Sequence, residues 1–483
     1  MIKNFKYNLI IILLSFFIVT GTIGIEVKSS YLLDLDPLVD VEVTVEIQKI
    51  RAFDKEDQQV RINEYIDQTS DPDFYIKIII NDQEFTSDIW YNTLYIYEPQ
   101  FSATLDVPDE NEFVNVKIQL WDWNDDGDVL CDIGDENDDV ELIYSIKTGH
   151  WTGDDQLGDS SGYGRLNGCD DGSIYKRDLD CELWFNIYQN DYDHDGIPYW
   201  TEVNNYQTDP EVKDSGDPDD DEISVEWEWR WDYDPFESED HKNLDLDVDG
   251  INNIEEYLTA DWFSDPFRKD IFVEFDIMEE GPNGEITYFA EGGKELIRTA
   301  FNRQNIIFHL DDGSSNNKII SGHDIIPFDN DIGRGELNQI YYNYFLHGDD
   351  NNWRKGVFHY GVVVYNEDPP GYMFRANAFQ VASKGLEEKV ENPFLGSKEV
   401  VYGSAYMHEL GHTLAFNPIY GHDGLSKNPF QIGWWINRPY KSCMNYGYMY
   451  TMVDYSDGSR PFRDLDDWER MDLTTFQNDW GWP

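Results

Sequence analysis

The chain is short of basic residues. Lys and Arg number 35 against 97 Asp and Glu in 483 residues, a formal net charge of −62. That shortage excludes nucleic acid as a partner, because phosphate backbones would be repelled. Cysteine is also scarce: Cys131, Cys169, Cys181 and Cys443 are all there are, and none shows the paired Cys-x-x-Cys spacing of a cysteine zinc site. Cys169 and Cys181 could close a short disulfide loop outside the cell, whereas Cys131 and Cys443 read as buried thiols; spacing alone does not settle the pairing. No Asn-x-Ser/Thr acceptor occurs, so that form of glycosylation is not expected. Beyond the first 25 residues no apolar run is long enough to cross a membrane. Aromatics are not lacking, and 16 Trp, 31 Tyr and 27 Phe exclude a disordered acidic polymer. A chain of this length predicts two to four domains of ~100–200 residues. The carboxylate surplus is therefore a solvated surface or a set of cation ligands, and position along the chain separates the two.

At the N-terminus, Lys3 and Lys6 precede an apolar run from Leu9 to Val19, followed by Thr20, Gly21, Thr22 and Gly24. A charged start, a short apolar core and a small-residue exit predict a signal peptide over residues 1–24 and a secreted chain. An uncleaved surface anchor is the other reading, because the run extended to Ile25 reaches ~17 residues. Membrane contact is expected only in that case.

Residues 30–188 alternate. Val41, Val43, Val45 and Ile47, then Phe74, Ile76, Ile78 and Ile80, then Val114, Val116, Ile118 and Leu120, then Leu183, Phe185 and Ile187 each repeat with period two. Such strands bury one face, and several of them between Asp/Asn/Gly turns predict an antiparallel β-sandwich. Acidic clusters fall at strand ends: Asp54 and Asp57, Asp71 and Asp73, and Asp122, Asn124, Asp126 and Asp128. Strand order and loop acidity resemble the calcium-dependent lipid-binding sandwiches of the synaptotagmin type. A metal-free binding sandwich is the simpler expectation, and a jelly roll fits equally.

The segment 189–267 is different. Between Asp191 and Pro266 stand 26 acidic and three basic residues, a net charge of −23. A unit recurs within it. Asp191, Asp193, Asp195, Gly196 and Ile197 are followed by Glu202; Asp217, Asp219, Asp221, Glu222 and Ile223 by Glu228; Asp245, Asp247, Asp249, Gly250 and Ile251 by Glu256. Calcium takes 6–8 oxygens, and carboxylates at loop positions 1, 3, 5 and 12 converge when position 6 allows a tight bend. The units resemble the EF-hand loop and, more closely, thrombospondin type 3 repeats, which implies calcium as a structural cofactor. Glu222 replaces the expected glycine, predicting a strained bend and weaker binding. The segment is expected to act as a calcium-stiffened spacer between two globular domains.

Residues 268–483 read as α/β. Ile271, Val273 and Phe275 alternate; Leu296, Ile297, Ala300 and Phe301 share a helix face; Val357–Tyr365 reads as a strand and Val400–Leu414 as a helix. That last helix carries His408, Glu409 and His412. Two His at i and i+4 share a face and can hold one zinc ion, while a Glu between them can take a proton from a zinc-acidified water. Ser442, Cys443, Met444, Asn445 and Tyr446 follow 30 residues after His412. The pairing of this HExxH motif with such a segment resembles the metzincin metallopeptidases. The resemblance implies that Met444 underlies the zinc, that Tyr446 stabilises an oxyanion, and that Asp466–Phe476 forms the C-terminal helix of the domain. It departs in one place: metzincins require Gly three residues after the second His and a third ligand three further on, and here those positions hold Ala415 and Pro418. His422, in a loop four residues longer, is the expected third ligand, with Asp423 beside it as the alternative. The other histidines (150, 194, 241, 309, 323, 347 and 359) carry no ligand spacing and read as structural or solvated.

The sequence thus predicts a secreted or surface multidomain zinc endopeptidase acting on protein or peptide substrates, with Zn2+ catalytic and Ca2+ structural. The rival expectation is a calcium-dependent adhesion or scaffold protein with an inactive zincin domain.

Overall fold

The computed structural model describes residues 41–477, apart from 54–70, 109–110, 126, 135–136, 156–163, 170–171, 173–178, 215, 314–323, 418 and 461. The signal segment, Asp54, Asp57, Asp126, His323 and Pro418 lie outside the described residues.

Two antiparallel sheets make the N-terminal domain. The first orders Tyr95–Val107, Val41–Ala52, Cys181–Gln189 and Gly164–Asn167; the second runs through Gln83–Thr86, Phe74–Ile80, Phe113–Asp122, Val140–Ser145 and Trp151–Gly153. The alternating residues of both sheets, among them Val43, Val45, Ile76, Ile78, Val116, Ile118, Leu183 and Phe185, share one core, as a sandwich requires. A bulge between Ile47 and Lys49 shifts the register of Val41–Ala52 against both neighbours. The core face resumes at Ile50 and Ala52, which leaves Lys49 and Arg51 on the outer face.

The α/β region is a mixed sheet ordered Ile307–Asp311, Asp270–Met278, Phe358–Val364, Ala378–Ala382 and Gly371–Arg375. Its pairings are parallel except at the Gly371–Arg375 edge. Both faces are covered, so Asp270–Met278 is buried almost throughout rather than alternately. Ile271, Val273 and Phe275 face the core formed with helices α1 (Glu291–Asn302) and α2 (Lys398–Thr413), while Phe272 and Met278 face a second core. α1 and α2 approach closely at a glycine pair: a Cβ on Gly403 would lie 2.9 Å from the carbonyl oxygen of Gly293.

Two expectations are corrected, and the pairing left open for Cys169 and Cys181 is answered. The segment Asp466–Phe476 is not a helix; it runs through turns and ends in a 3-10 turn at Thr475–Gln477. Its acids serve tertiary contacts instead, with buried Asp467 accepting from Tyr440 Oη at 2.8 Å and from Ser456 N at 3.2 Å. Cys169 and Cys181 form no disulfide and are buried as thiols. The strand start is closed by backbone bonds, Gly168 N to Cys181 O and Cys181 N to Asp132 O.

The acidic segment, moreover, does not hold two domains apart. Buried Arg51 of the sandwich lies against Glu182 and donates to Glu295 Oε2 (2.5 Å) and Thr299 Oγ1 (2.7 Å) of α1. Asn302 Nδ2 donates to Glu182 (2.6 Å), and Arg268 reaches Asp155 (3.2 Å). The sandwich and the α/β region touch directly, and the repeats pack beside them.

Candidate metal centres

Ser397 caps α2, its Oγ accepting from Val400 N. Sixteen residues later the helix ends at Thr413, presenting His408, Glu409 and His412 from its last turns. Ala415 then adopts φ +63°, the left-handed bend at which the metzincin pattern places glycine. A Cβ there costs on the order of 1–2 kcal/mol. The chain returns through Gly421 (φ +74°), where a Cβ would collide with Asn445 Oδ1. His422 is thereby delivered to the helix, and Tyr446 N donates to Gly421 O at 3.2 Å.

Nitrogens of His408, His412 and His422 all lie within 4.8 Å of one another. His408 Nε2 and His422 Nε2 are 3.2 Å apart. Two nitrogens on a tetrahedral zinc, each at about 2.0–2.1 Å, sit about 3.3 Å from each other. His408 Nδ1 donates to the Cys443 carbonyl at 2.8 Å, which fixes the tautomer and leaves the Nε2 lone pair facing its neighbours. Burial holds all three rings as neutral bases: His408 well below the usual imidazole range, His412 at about 4, and His422 lowered. The donor set fits zinc, because zinc takes unprotonated imidazoles.

Asp423 is exposed and turned away, its Oδ1 accepting from Leu425 N (2.7 Å) and Ser426 Oγ (3.1 Å). Between the two candidates for third ligand, the structure brings His422 to the pair. Glu409 is buried, and burial raises its carboxyl to about 8. Met444 is fully buried beneath the helix, where a Cβ on Gly411 would lie 2.5 Å from its sulfur. The Tyr446 ring stands 4.2 Å from that of His422 and 5.7 Å from that of His408. Asn445, which the sequence reading names but gives no role, anchors the turn by donating to Asn437 O (3.1 Å) and Tyr440 O (2.8 Å).

The three repeats share one backbone. Position 4 is left-handed at His194, Asp220 and Val248 (φ +65°, +63°, +62°), as is position 6 at Gly196, Glu222 and Gly250 (+90°, +84°, +95°). Glu222 thus takes the glycine conformation despite its Cβ, as the sequence predicts. Position 1 curls each loop by accepting from position 6: Asp191 from Gly196 N, Asp217 from Glu222 N, Asp245 from Gly250 N. Ile197, Ile223 and Ile251 are buried beneath, as are Glu202, Glu228 and Glu256. A further regularity has no sequence signal: Oδ2 of Asp195, Asp221 and Asp249 accepts the amide of another acid about 20 residues on, Asp214, Glu239 and Asp270 (2.9, 3.2 and 2.7 Å).

The carboxylates converge as predicted. Asp191, Asp193 and Asp195 form one cluster, Asp195, Glu202 and Asp214 a second, and Asp217, Asp219 and Asp221 a third. Both oxygens of Asp193, Asp219, Glu228 and Glu256 and one of Asp247 are buried without hydrogen-bond partners. Burial, then neighbouring carboxylates, raises Glu202 to about 8, and burial raises Glu228 to about 7. Asp247, Asp249 and Glu256 are raised by the same causes. Orphaned oxygens facing one point fit a bound cation. One histidine is corrected: His241 is not merely structural or solvated but groups with Asp221 and Glu228. In the sandwich the loop acids are engaged otherwise, Asp122 accepting from Asp73 N, Asp73 from Asn92 N and Asp128 from Tyr75 Oη.

No protein-family model matches the chain, and no curated protein does. Among solved structures, a C2 domain of plant Extended Synaptotagmin 1 matches at 12% identity over 32% of this chain and 95% of that one, with a TM-score of 0.20. A C2 domain protein from Ramazzottius varieornatus matches at 10% identity over 31% and 89%, TM-score 0.20. Human GIVD cytosolic phospholipase A2, in complex with methyl gamma-linolenyl fluorophosphonate, matches at 12% identity over 32% of this chain, TM-score 0.20; the chain spans only 17% of that protein's length. At scores this low these likenesses carry no argument about ligand or activity.

Proposed function

We propose that the chain is a zinc-dependent endopeptidase acting outside the cell on protein or peptide substrates. The observation that carries this reading is the convergence of His408, His412 and His422 on one point beside buried Glu409. Zinc bound there would lower the pKa of a water molecule and polarise the scissile carbonyl. Glu409, buried beside the three imidazoles, is placed to serve as the proton acceptor and then donor, and a cation at that point would favour the ionised carboxylate that this role needs. Tyr446, beside His422, donates a hydrogen bond to the developing oxyanion. Met444 and the Cys443 carbonyl hold the helix and the His408 ring in place. Calcium is the fitting ion at the first and third repeats, whose donors are carboxylates throughout.

The test is zinc content and cleavage of an unfolded protein substrate by the full chain. Glu409→Gln should keep the zinc and lose about 10²–10⁴-fold in kcat. His422→Ala should lose the zinc, and Asp423→Ala should keep zinc and activity alike. A zinc-free wild-type chain, or undiminished cleavage by E409Q, sinks the reading and leaves the adhesion alternative.

A further inference from the structure

The middle repeat differs from its neighbours in one donor. Two residues beyond the acid whose amide meets position 5, the first repeat has Gly216 and the third has Phe272, whereas the middle repeat has His241. The His241 side chain is wholly buried. Its Nε2 lies 3.2 Å from Asp221 Oδ2 and 3.6 Å from both Glu228 Oε1 and Glu239 Oε2. Neither Nε2 nor either oxygen of Glu228 has a hydrogen-bond partner. Trp227 and Tyr233 pack edge-on against the ring at 6.1 and 5.0 Å.

The other ring nitrogen, Nδ1, lies 2.9 Å from the Asn253 amide nitrogen, and Asn253 Oδ1 is buried without a partner. With the amide in this orientation Nε2 carries the proton; with the amide turned over, Oδ1 accepts from Nδ1–H and the Nε2 lone pair faces Asp221, Glu228 and Glu239. A proton or a metal ion therefore stands between Nε2 and the three carboxylates. The two unpartnered, buried oxygens of Glu228 beside Asp221 and His241 are the donors that a proton on Nε2 alone leaves unsatisfied and a metal ion would take up.

We infer that the middle repeat is a transition-metal site of the zinc class, built from His241, Asp221, Glu228 and Glu239, rather than a third calcium site. Calcium selects oxygen, whereas imidazole suits zinc and its neighbours. Donors at about 2.0–2.2 Å around a tetrahedral ion lie about 3.3–3.6 Å apart, close to the Nε2 separations of 3.2 and 3.6 Å. The site stands independently of the proposed catalytic centre.

The experiment loads the full chain with zinc in excess calcium, dialyses it, and counts metals by mass spectrometry. Wild type should hold two zinc ions. His241→Gln should hold one and keep its peptidase activity, and His412→Ala should hold the other. One zinc in wild type, lost in H412A and retained in H241Q, overturns the inference while the peptidase reading stands; calcium at the middle repeat or a protonated His241 would give that result. One zinc lost only in H241Q supports the inference and defeats the peptidase reading. Cobalt(II) in H412A guards against misfolding of H241Q: the remaining ion should shift one imidazole N–H resonance, and no shifted imidazole overturns the inference.

Discussion

The end of α2 and the acidic repeats both gather around a point side chains that could hold a metal ion, yet they do so under opposite constraints. In the pocket the donors are imidazoles that burial keeps neutral, held by a sixteen-residue helix, the Cys443 carbonyl and the Asn445-anchored turn. Neutral rings can wait beside one another at little electrostatic cost. In the repeats the donors are carboxylates with orphaned oxygens, and the loops are held closed by the buried Ile197, Ile223 and Ile251 and by hydrogen bonds in which acids of the same loops accept backbone amides. Like charges in a low-dielectric site cannot all ionise without a counter-ion. Under the proposed function, a metal ion would thus be a reagent on a finished scaffold in one region and a member of the scaffold in the other.

Metal removal should expose that contrast most strongly. Calcium-selective chelation should raise amide hydrogen exchange across the first and third repeats, residues 191–202 and 245–256, by at least about 100-fold. Selective removal of zinc should leave exchange in α2 nearly unchanged while ending proteolysis; equal loosening of both regions would erase the distinction. The chelated first repeat should also melt lower as pH rises from about 5 to about 8. Glu202, raised to about 8, holds a proton in the folded state that it releases on unfolding, where carboxyls titrate near ~4.3. Stability is therefore fully present below the unfolded value and lost as pH climbs through the folded one. With calcium bound that slope should vanish, and a slope unaltered by calcium would refute the account.

The interface offers a smaller effect. Arg51→Ala strips buried Glu182 of one of its guanidinium partners and should cost about 3–5 kcal/mol in urea unfolding. A loss below about 1 kcal/mol would mean that the sandwich and α1 do not depend on each other. The smallest change is Glu222→Gly, which relieves a left-handed Cβ at φ +84° and should tighten metal binding in the middle repeat by about 1 kcal/mol, read by calorimetry. Weaker binding would assign Glu222, which pairs with Lys242 at 2.6 Å, a part in holding the loop.

What could be read in advance followed from short-range spacing. Val41–Ile47 and Phe74–Ile80 declared their strands because period two reports burial of one face. The repeats were legible because positions 1, 3, 5 and 12 lie within one loop, and His408 and His412 because a helix brings i and i+4 together. His241 escaped because it meets Asp221 across 20 residues and a turn that no local pattern marks. Asp214, Glu239 and Asp270 escaped because they act through backbone amides, which every residue carries. The Asp466–Phe476 helix failed because Asp467 is drawn to Tyr440 and Ser456 instead. Arg51 gave no hint of its partners, since a bulge decides which face it occupies.

Asp270 sits astride the border drawn at residue 267. Its amide clasps Asp249 of the third loop, its carboxylate receives His309 Nε2 at 2.7 Å, and it is the first residue of the central strand Asp270–Met278. Anyone excising the α/β region as a fragment beginning at 268 would sever that clasp and strand Arg268, whose buried partners include Asp155 and Asp265. Because Arg51 on the strand Val41–Ala52 also reaches Glu295 and Thr299, the smallest piece that keeps these contacts includes that strand, and shorter expression fragments should be judged by that limit.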